Sequence, residues 1–445
     1  MTPPPVVGAP RRALLEDLYA AAVAAAAPGP AVERALADLG DPGTRRIWLF
    51  ALGKAAHPMA RAAVASLARW RREPAGGLLV PPAGGAAPHP ALALVVGDHP
   101  EPGPGSLAAA EALSRAAGRV GPDDEAWVLL SGGATSLLGA PVEGVSPADL
   151  TMLYGQLLGS GLDITAMNRI RKRFSRWGGG RLAAALAPAR VRVFIVSDVI
   201  GDDLASIASG PCAPDPASAA DVRSALEASG LWTRIPPSLR ERLASAELGW
   251  VPETPKPGDP AFAQVETRLI ASNRLALDAA AAHARTLGLV PRVMEPALSG
   301  EAAEAGRRIA ATVLTYCQYS GSQPETAPAC LIWGGEPTVT LGSAPTGLGG
   351  RCQELALAAA EQLATTPVGT APTILAAGTD GRDGPTDAAG AVVDGATWTA
   401  IRRAGRDPTR DLGAHDAYPA LDAAGALLRP GLTGTNVMDV VFGVS

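Results

Sequence analysis

Short, almost wholly apolar runs punctuate this chain and alternate with longer stretches of helical period. Ile47–Leu52, Leu78–Val80, Leu92–Val96, Trp127–Leu130, Val191–Val196 and Arg268–Ala271 have the length and aliphatic character of buried strands. Between them apolar positions return every three or four residues. Ala60, Val64, Leu67 and Ala68 share one face of a helix ending near Arg72, and Ser106 is placed to cap another that runs to about Ala117. Arg11–Ala27 reads as an amphipathic helix after a Pro-rich start. Strand, helix and strand in turn are the signature of βαβ units, hence of a parallel sheet wound by helices on both faces. In the last third, Leu331–Trp333, Pro337–Leu341, Thr373–Ala377 and Val437–Phe442 read as strands, with helices from Ser272-Asn273 to about Leu287 and from the Gly347–Gly350 run through Leu363. The Pro-rich stretch Trp250–Phe262 is a linker by composition. Two α/β domains are the expected fold, 1–255 with a doubly wound sheet and 256–445, smaller, with a mixed sheet.

The candidate chemistry sits where the apolar runs stop. Val191–Val196 ends on Ser197-Asp198, followed by Gly201-Asp202-Asp203 and Ser209-Gly210-Pro211. Carboxylates just past a core strand occupy the position where open α/β sheets bind ligands, although an Asx-turn capped by Asp198 is the simpler account. Ile47–Leu52 runs into Gly53-Lys54-Ala55, which puts Lys54 at a strand-to-helix turn suited to an anion. Trp127–Leu130 opens into Ser131-Gly132-Gly133-Ala134-Thr135, small enough to cradle a phosphate on backbone N–H groups. Gly103–Ala108 matches GxGxxA, but six residues and two prolines separate it from the strand, so it is a chance match. Arg169, Arg171, Lys172, Arg173, Arg176 and Arg181 crowd around Gly178–Gly180; such a run is usually a solvated face, and here it is also the densest positive patch for drawing in an anionic substrate. Arg351 falls in the first turn of its helix, where the dipole repels a cation unless an anion is near. Asp380, Asp383 and Asp387 lie in one Gly-rich loop that suits a divalent cation, though no Glu closes it as in an EF-hand.

Composition narrows the partners. The 445 residues include 38 basic and 43 acidic side chains, for a net charge of −5, and only 4% are aromatic, which leaves no footprint for nucleic acid. Thirty-five of the cations are arginine and three are lysine, so Lys54 stands out as a compact ammonium where Arg is the default. The four cysteines form no CxxC, which fits a reduced compartment and no zinc site. Glu16 and Asp17 interrupt the only stretch that resembles a secretion signal, and that stretch is too short to span a bilayer. A cytoplasmic protein, monomer or homodimer, is expected.

Taken together, GKAAHPMA, LLSGGATSLL, SDVIGDDLASIASGP, GGEPTVTLG, GLGGRCQELALA, AGTDGRDGPTDAAGAVVD and GLTGTNVMDV resemble the class II glycerate 2-kinase family, the MOFRL type, in matching order over nearly the whole chain. The resemblance implies a Rossmann-like N-terminal domain, a cleft between two α/β domains, and ATP-dependent, Mg²⁺-assisted phosphorylation of glycerate at its 2-hydroxyl. It places the family's catalytic Lys on Lys54 and its Arg on Arg351, its Gly-rich loop on Ser131, Gly132 and Gly133, and its acidic loops on Asp198 and Asp380–Asp387. On this reading Asp198 also serves as the base, Asn436 joins the nucleotide contacts, Arg171 and Glu336 contact substrate, and Asp198, Asp380 and Asp383 hold the metal. The chain departs from the family at Cys352 (usually Asn), Arg173-Phe174 (usually His-Leu) and Met438 (usually Asn). Some relatives carry hydroxypyruvate reductase labels, and a nicotinamide-dependent reductase and a catalytically silent sugar-acid sensor are the alternative functions.

Overall fold

The apolar runs form two separate six-stranded sheets in the computed structural model, which describes residues 9–162, 164–321, 328–342, 346–366 and 372–444. The Pro-rich start lies outside the described residues, apart from Ala9 and Pro10 at the beginning of the first helix. The chain divides into two compact units, Pro28–Ile270 and Met1–Ala27 with Ala271–Ser445.

The first unit holds β1 (Ile47–Leu52), β2 (Gly76–Val80), β3 (Leu92–Leu94), β4 (Glu125–Leu130), β5 (Arg190–Val196) and β6 (Val265–Ala271), in the order β3-β2-β1-β4-β5-β6. That is the order of the doubly wound dinucleotide-binding folds. The pairs from β3 through β5 are parallel, and every residue of β1, β2 and β4 is buried, as a sheet covered on both faces requires. Between β1 and β4 the order reverses. Leu52 lies opposite Leu130, and Leu130 opposite Ile195, so the turns leaving β1, β4 and β5 emerge side by side. Trp127 anchors this core, edge-on to Phe194 at 6.4 Å and to Trp70 at 6.5 Å. Helices Pro147–Leu158, Ile164–Phe174, Ala219–Ala228 and Pro237–Glu247 bury a separate apolar cluster that includes Leu153, Ile170, Phe174 and Leu243.

The second unit holds β7 (Val290–Val293), β8 (Ala329–Gly335), β9 (Thr373–Gly378), β10 (Gly390–Val393), β11 (Leu427–Leu428) and β12 (Asp439–Val444), in the order β11-β10-β9-β12-β8-β7. Only β7 and β8 pair in parallel, so the sheet is mixed, as expected. Because β12 is antiparallel to both β8 and β9, its first residue, Asp439, lies opposite Gly335 and Gly378 at their carboxyl ends. That register gathers three sequence-distant loops at one edge.

Three expectations change. The split expected at 255/256 differs from the observed units because β6 completes the first sheet and helix Ala9–Ala25 belongs to the second unit. That helix buries Leu15, Leu18, Tyr19 and Ala22, and Tyr19 donates its hydroxyl to Gly378 O at 2.8 Å. Pro337–Leu341 is not a strand; Thr338 makes only an isolated bridge to Glu301, and Pro337 brings no N–H to a ladder. The helix assigned to Ser106 starts at Pro104, with Gly103 at the cap. Among the described residues no helix is long and apolar enough to cross a membrane.

Truncating Phe194 to Ala removes the fully buried ring that meets Trp127, and should cost about 3–5 kcal/mol in urea unfolding followed by tryptophan fluorescence. A loss under about 1 kcal/mol would contradict this packing.

Candidate active site

The turns after β1 and β4 are locked together by their backbones. Gly53 has φ +121°, and a Cβ there would lie 2.3 Å from Ser131 Oγ and 2.4 Å from its carbonyl oxygen, so no side chain fits. Lys54 N–H donates to Gly132 O at 2.9 Å, and Ala55 N–H donates to Ser131 Oγ at 2.9 Å. The N–H groups beside Lys54 are therefore spent on the neighbouring turn rather than open to an anion. The open donors lie one strand over. Among the described residues, the N–H groups of Gly132, Gly133, Ala134 and Thr135 find no protein acceptor, a consecutive run at the end of β4. Such a run forms an anion-binding concavity.

Charged side chains converge on the same two glycines. A Cβ on Gly132 would stand 1.8 Å from Asp198 Oδ2, so the carboxylate rests directly on the turn. A Cβ on Gly133 would meet His99 Cδ2 at 3.1 Å, Lys54 Cγ at 3.2 Å and His99 Nε2 at 3.3 Å. Burial pushes the Asp198 carboxyl above its ordinary value while Lys54 pulls it back. His99 moves down, because the turn partly desolvates its ring and the Lys54 charge opposes a second cation. Thr135 and Ser209 join hydroxyls at 2.9 Å, tying the β4 turn to the loop after β5. In that loop Ala208 and Ser209 hold φ of 53° and 63°, a conformation that costs side-chain-bearing residues about 1–3 kcal/mol each and clusters at functional sites.

The second unit builds a different arrangement around Arg351. The Arg351 guanidinium grips Asp439 with two parallel bonds, Nε to Oδ2 at 2.5 Å and Nη2 to Oδ1 at 3.0 Å, and Nη1 meets Glu336 Oε1 at 2.8 Å. These carboxylates are the anions that a first-turn Arg calls for, and they raise its affinity for its proton against the effect of burial. Asp383 caps the same helix, accepting from Cys352 N–H at 3.1 Å and Gln353 N–H at 2.7 Å. Burial pushes the Asp383 carboxyl up to about 7 in spite of those two donors. Asp380 approaches Asp439 from β9: a Cβ on Gly378 would lie 3.1 Å from Asp380 Oδ1 and 3.5 Å from Asp439 Oδ1.

Two family models match the chain: a domain of unknown function, DUF4147, over residues 14–244, and the MOFRL family over residues 329–439. The D-glycerate 2-kinase of Thermotoga maritima is 38% identical, over 90% of each chain. A protein of Agrobacterium vitis provisionally named hydroxypyruvate reductase is 39% identical, over 96% of this chain and 93% of its own. The crystal structure of a Thermotoga maritima glycerate kinase superposes with a TM-score of 0.86 at 35% identity, covering 97% of this chain and 98% of that one. This chain belongs to the class II, MOFRL-type glycerate kinase family.

The family's motifs do not all meet in the site. Lys54, Ser131, Gly132, Gly133 and Asp198 come together in one unit, and Arg351, Glu336 and Asp380 share one edge in the other. Asp383 does not join the candidate metal ligands, because its oxygens are taken by the helix cap. Asn436 turns its Oδ1 back on Met438 N–H at 3.1 Å. Arg171 lies over the Tyr154 ring at 5.2 Å, in the helical layer. The cationic run expected to attract substrate is mostly internal bracing. Lys172 pairs with buried Asp215 at 3.4 Å, Arg173 with Glu253, Arg176 with Glu111, and Arg181 donates to four carbonyls. At the GxGxxA match, Asp98 Oδ2 accepts Ser106 N–H at 3.0 Å and fills the space against Gly103 and Gly105.

The departures from the family pattern have local accounts. Arg173, where the family carries His, is buried with Glu253 and Thr254 as partners. Cys352 is enclosed beside Asp439 and Asp383, and burial holds it as a thiol. Met438 takes φ +68°, a conformation that Asn adopts more readily. Two residues escaped sequence reasoning. Asp439 was findable as the anion a first-turn Arg needs; His99 carried no signal beyond its place after a strand.

The His99 imidazole should titrate with a midpoint below 6.5 by proton–nitrogen NMR, and Lys54→Met should move that midpoint upward. An unchanged midpoint in the variant would contradict the placement of Lys54 beside the ring.

Proposed function

We propose that this chain is an ATP-dependent glycerate 2-kinase, converting glycerate to 2-phosphoglycerate with release of ADP. The observation that carries the reading is the open run of N–H groups from Gly132 to Thr135, flanked by Lys54 and Asp198 at the point where the strand order reverses. Phosphoryl transfer asks a protein mainly for positioning and for neutralisation of phosphate charge. In this reading the N–H run cradles phosphate oxygens and the Lys54 ammonium, exposed at the turn, neutralises them. Arg351 is assigned to the anionic reactants as the second cation, held in a fixed orientation by Asp439 and Glu336.

The donor set fits Mg²⁺, which takes one or two carboxylates, keeps waters and shares phosphate oxygens. Among the described residues no three acidic, His or Cys side chains cluster as a cage, which such a site does not need. Among the described residues the Asp198 carboxylate accepts no hydrogen bond from another residue, so Asp198 is the residue of the first unit that we assign to the ion. The ion would supply neutralisation of phosphate charge. Four free cysteines support a reducing, cytoplasmic setting as part of the same proposal.

ADP release coupled to NADH oxidation tests the assignment. Wild-type protein should release ADP only when D-glycerate is present, and Lys54→Met should lower kcat by about a hundredfold or more with an unchanged melting temperature. Near-normal turnover in that variant would remove Lys54 from the site. Gly132→Ala should also lower kcat, by about a hundredfold, because the new methyl must push Asp198 off the turn. Wild-type kinetics in Gly132→Ala would contradict a working role for that carboxylate.

A further inference from the structure

We infer that His99, rather than Asp198, takes the proton of the attacking hydroxyl. The inference rests on the kinase reading above and assigns a residue that no motif in the sequence singled out.

His99 follows β3 and is exposed, yet its Cδ2–Nε2 edge lies over Gly133, next to the Lys54 stem. A substrate hydroxyl attacking a phosphoryl group held on the Gly132–Thr135 donors must approach close to this turn. The basic atoms near it are the Asp198 carboxylate, against Gly132, and the His99 imidazole, against Gly133. Asp198 is half-buried, and burial raises its affinity for a proton, but it faces Lys54 and, in our assignment, would bind the metal, which would hold it as a carboxylate and leave it no lone pair for the hydroxyl proton. His99 has the opposite setting. Partial desolvation at the turn, and then the Lys54 charge, disfavour its charged form, so near pH 7 the ring is neutral and able to accept. Asp98 and Glu101 share its loop, but the Asp98 carboxylate is turned to Ser106 N–H. The exposed ring can then pass the proton to water.

The step balances. The hydroxyl oxygen forms its bond to the γ-phosphorus as the bond from that phosphorus to the β–γ bridging oxygen breaks. ADP leaves with the electron pair, and the hydroxyl proton moves to the imidazole. No oxidant or further reactant is needed.

The test compares wild type with His99→Asn and His99→Gln, using D-glycerate, MgATP and ADP release between pH 5 and 9. Wild-type kcat/KM should fall on the acid side with a midpoint below 6.5, the value of an unperturbed imidazole. Both variants should lose about 10²–10⁴-fold in kcat with little change in KM, and should lose that acid limb. Imidazole added to His99→Ala should restore part of the rate, which a merely structural role would not allow. Variants within threefold of wild type, keeping the same acid limb, would overturn the inference while leaving the kinase intact. A wild-type protein that releases no ADP with glycerate would overturn the kinase reading and this inference with it.

Discussion

Parallel pairing of β1 with β4 is the constraint on which the Lys54, Gly132 and Asp198 end of the sheet depends. With β2 and β3 on one side and β5 and β6 on the other, the helices that follow β1 and β4 leave in opposite directions. The register then brings Leu52, Leu130 and Ile195 level, and the turns that follow have nowhere to go but against each other. Gly53 and Gly132 are required by that crowding rather than by flexibility: one lets the first turn lie on Ser131, the other lets Asp198 touch the second. The donors left over, residues 132–135, are a by-product of the same geometry. The proposed phosphate cradle and the packing solution are one set of atoms.

The second unit solves a different problem. An arginine in the first turn of a helix is repelled by the helix dipole, and the sheet answers with carboxylates from two strands' ends, Asp439 and Glu336, while Asp383 satisfies the backbone donors behind it. Only an antiparallel β12 between β8 and β9 puts these loops at one edge. Helix Ala9–Ala25 supports that edge through Tyr19 on Gly378 and through Thr435, which donates to Ala26 O at 2.6 Å.

What the sequence made legible follows from the range of the forces involved. Continuous apolar runs announce buried strands because burial is read one residue at a time, and β1 was bounded to the residue. Lys54, Gly132 and Asp198 were legible because each directly follows such a run. Partners distant in sequence were not: nothing near Arg173 or Lys172 announces Glu253 or Asp215, so an internally braced segment looked like an open basic patch. The N-terminal helix shows a buried face but not which unit buries it. Asp383 looked like a metal ligand because a capping carboxylate and a coordinating one have the same signature until both oxygens are located.

The central claim is that the Lys54, Gly132 and Asp198 end of the sheet directs a phosphoryl group to one hydroxyl of glycerate. Phosphorus NMR of the purified protein with ATP, Mg²⁺ and D-glycerate tests it most directly. The account predicts a 2-phosphoglycerate resonance growing as the ATP signals convert to ADP. A 3-phosphoglycerate resonance would contradict the regiochemistry, and unchanged ATP would contradict the kinase.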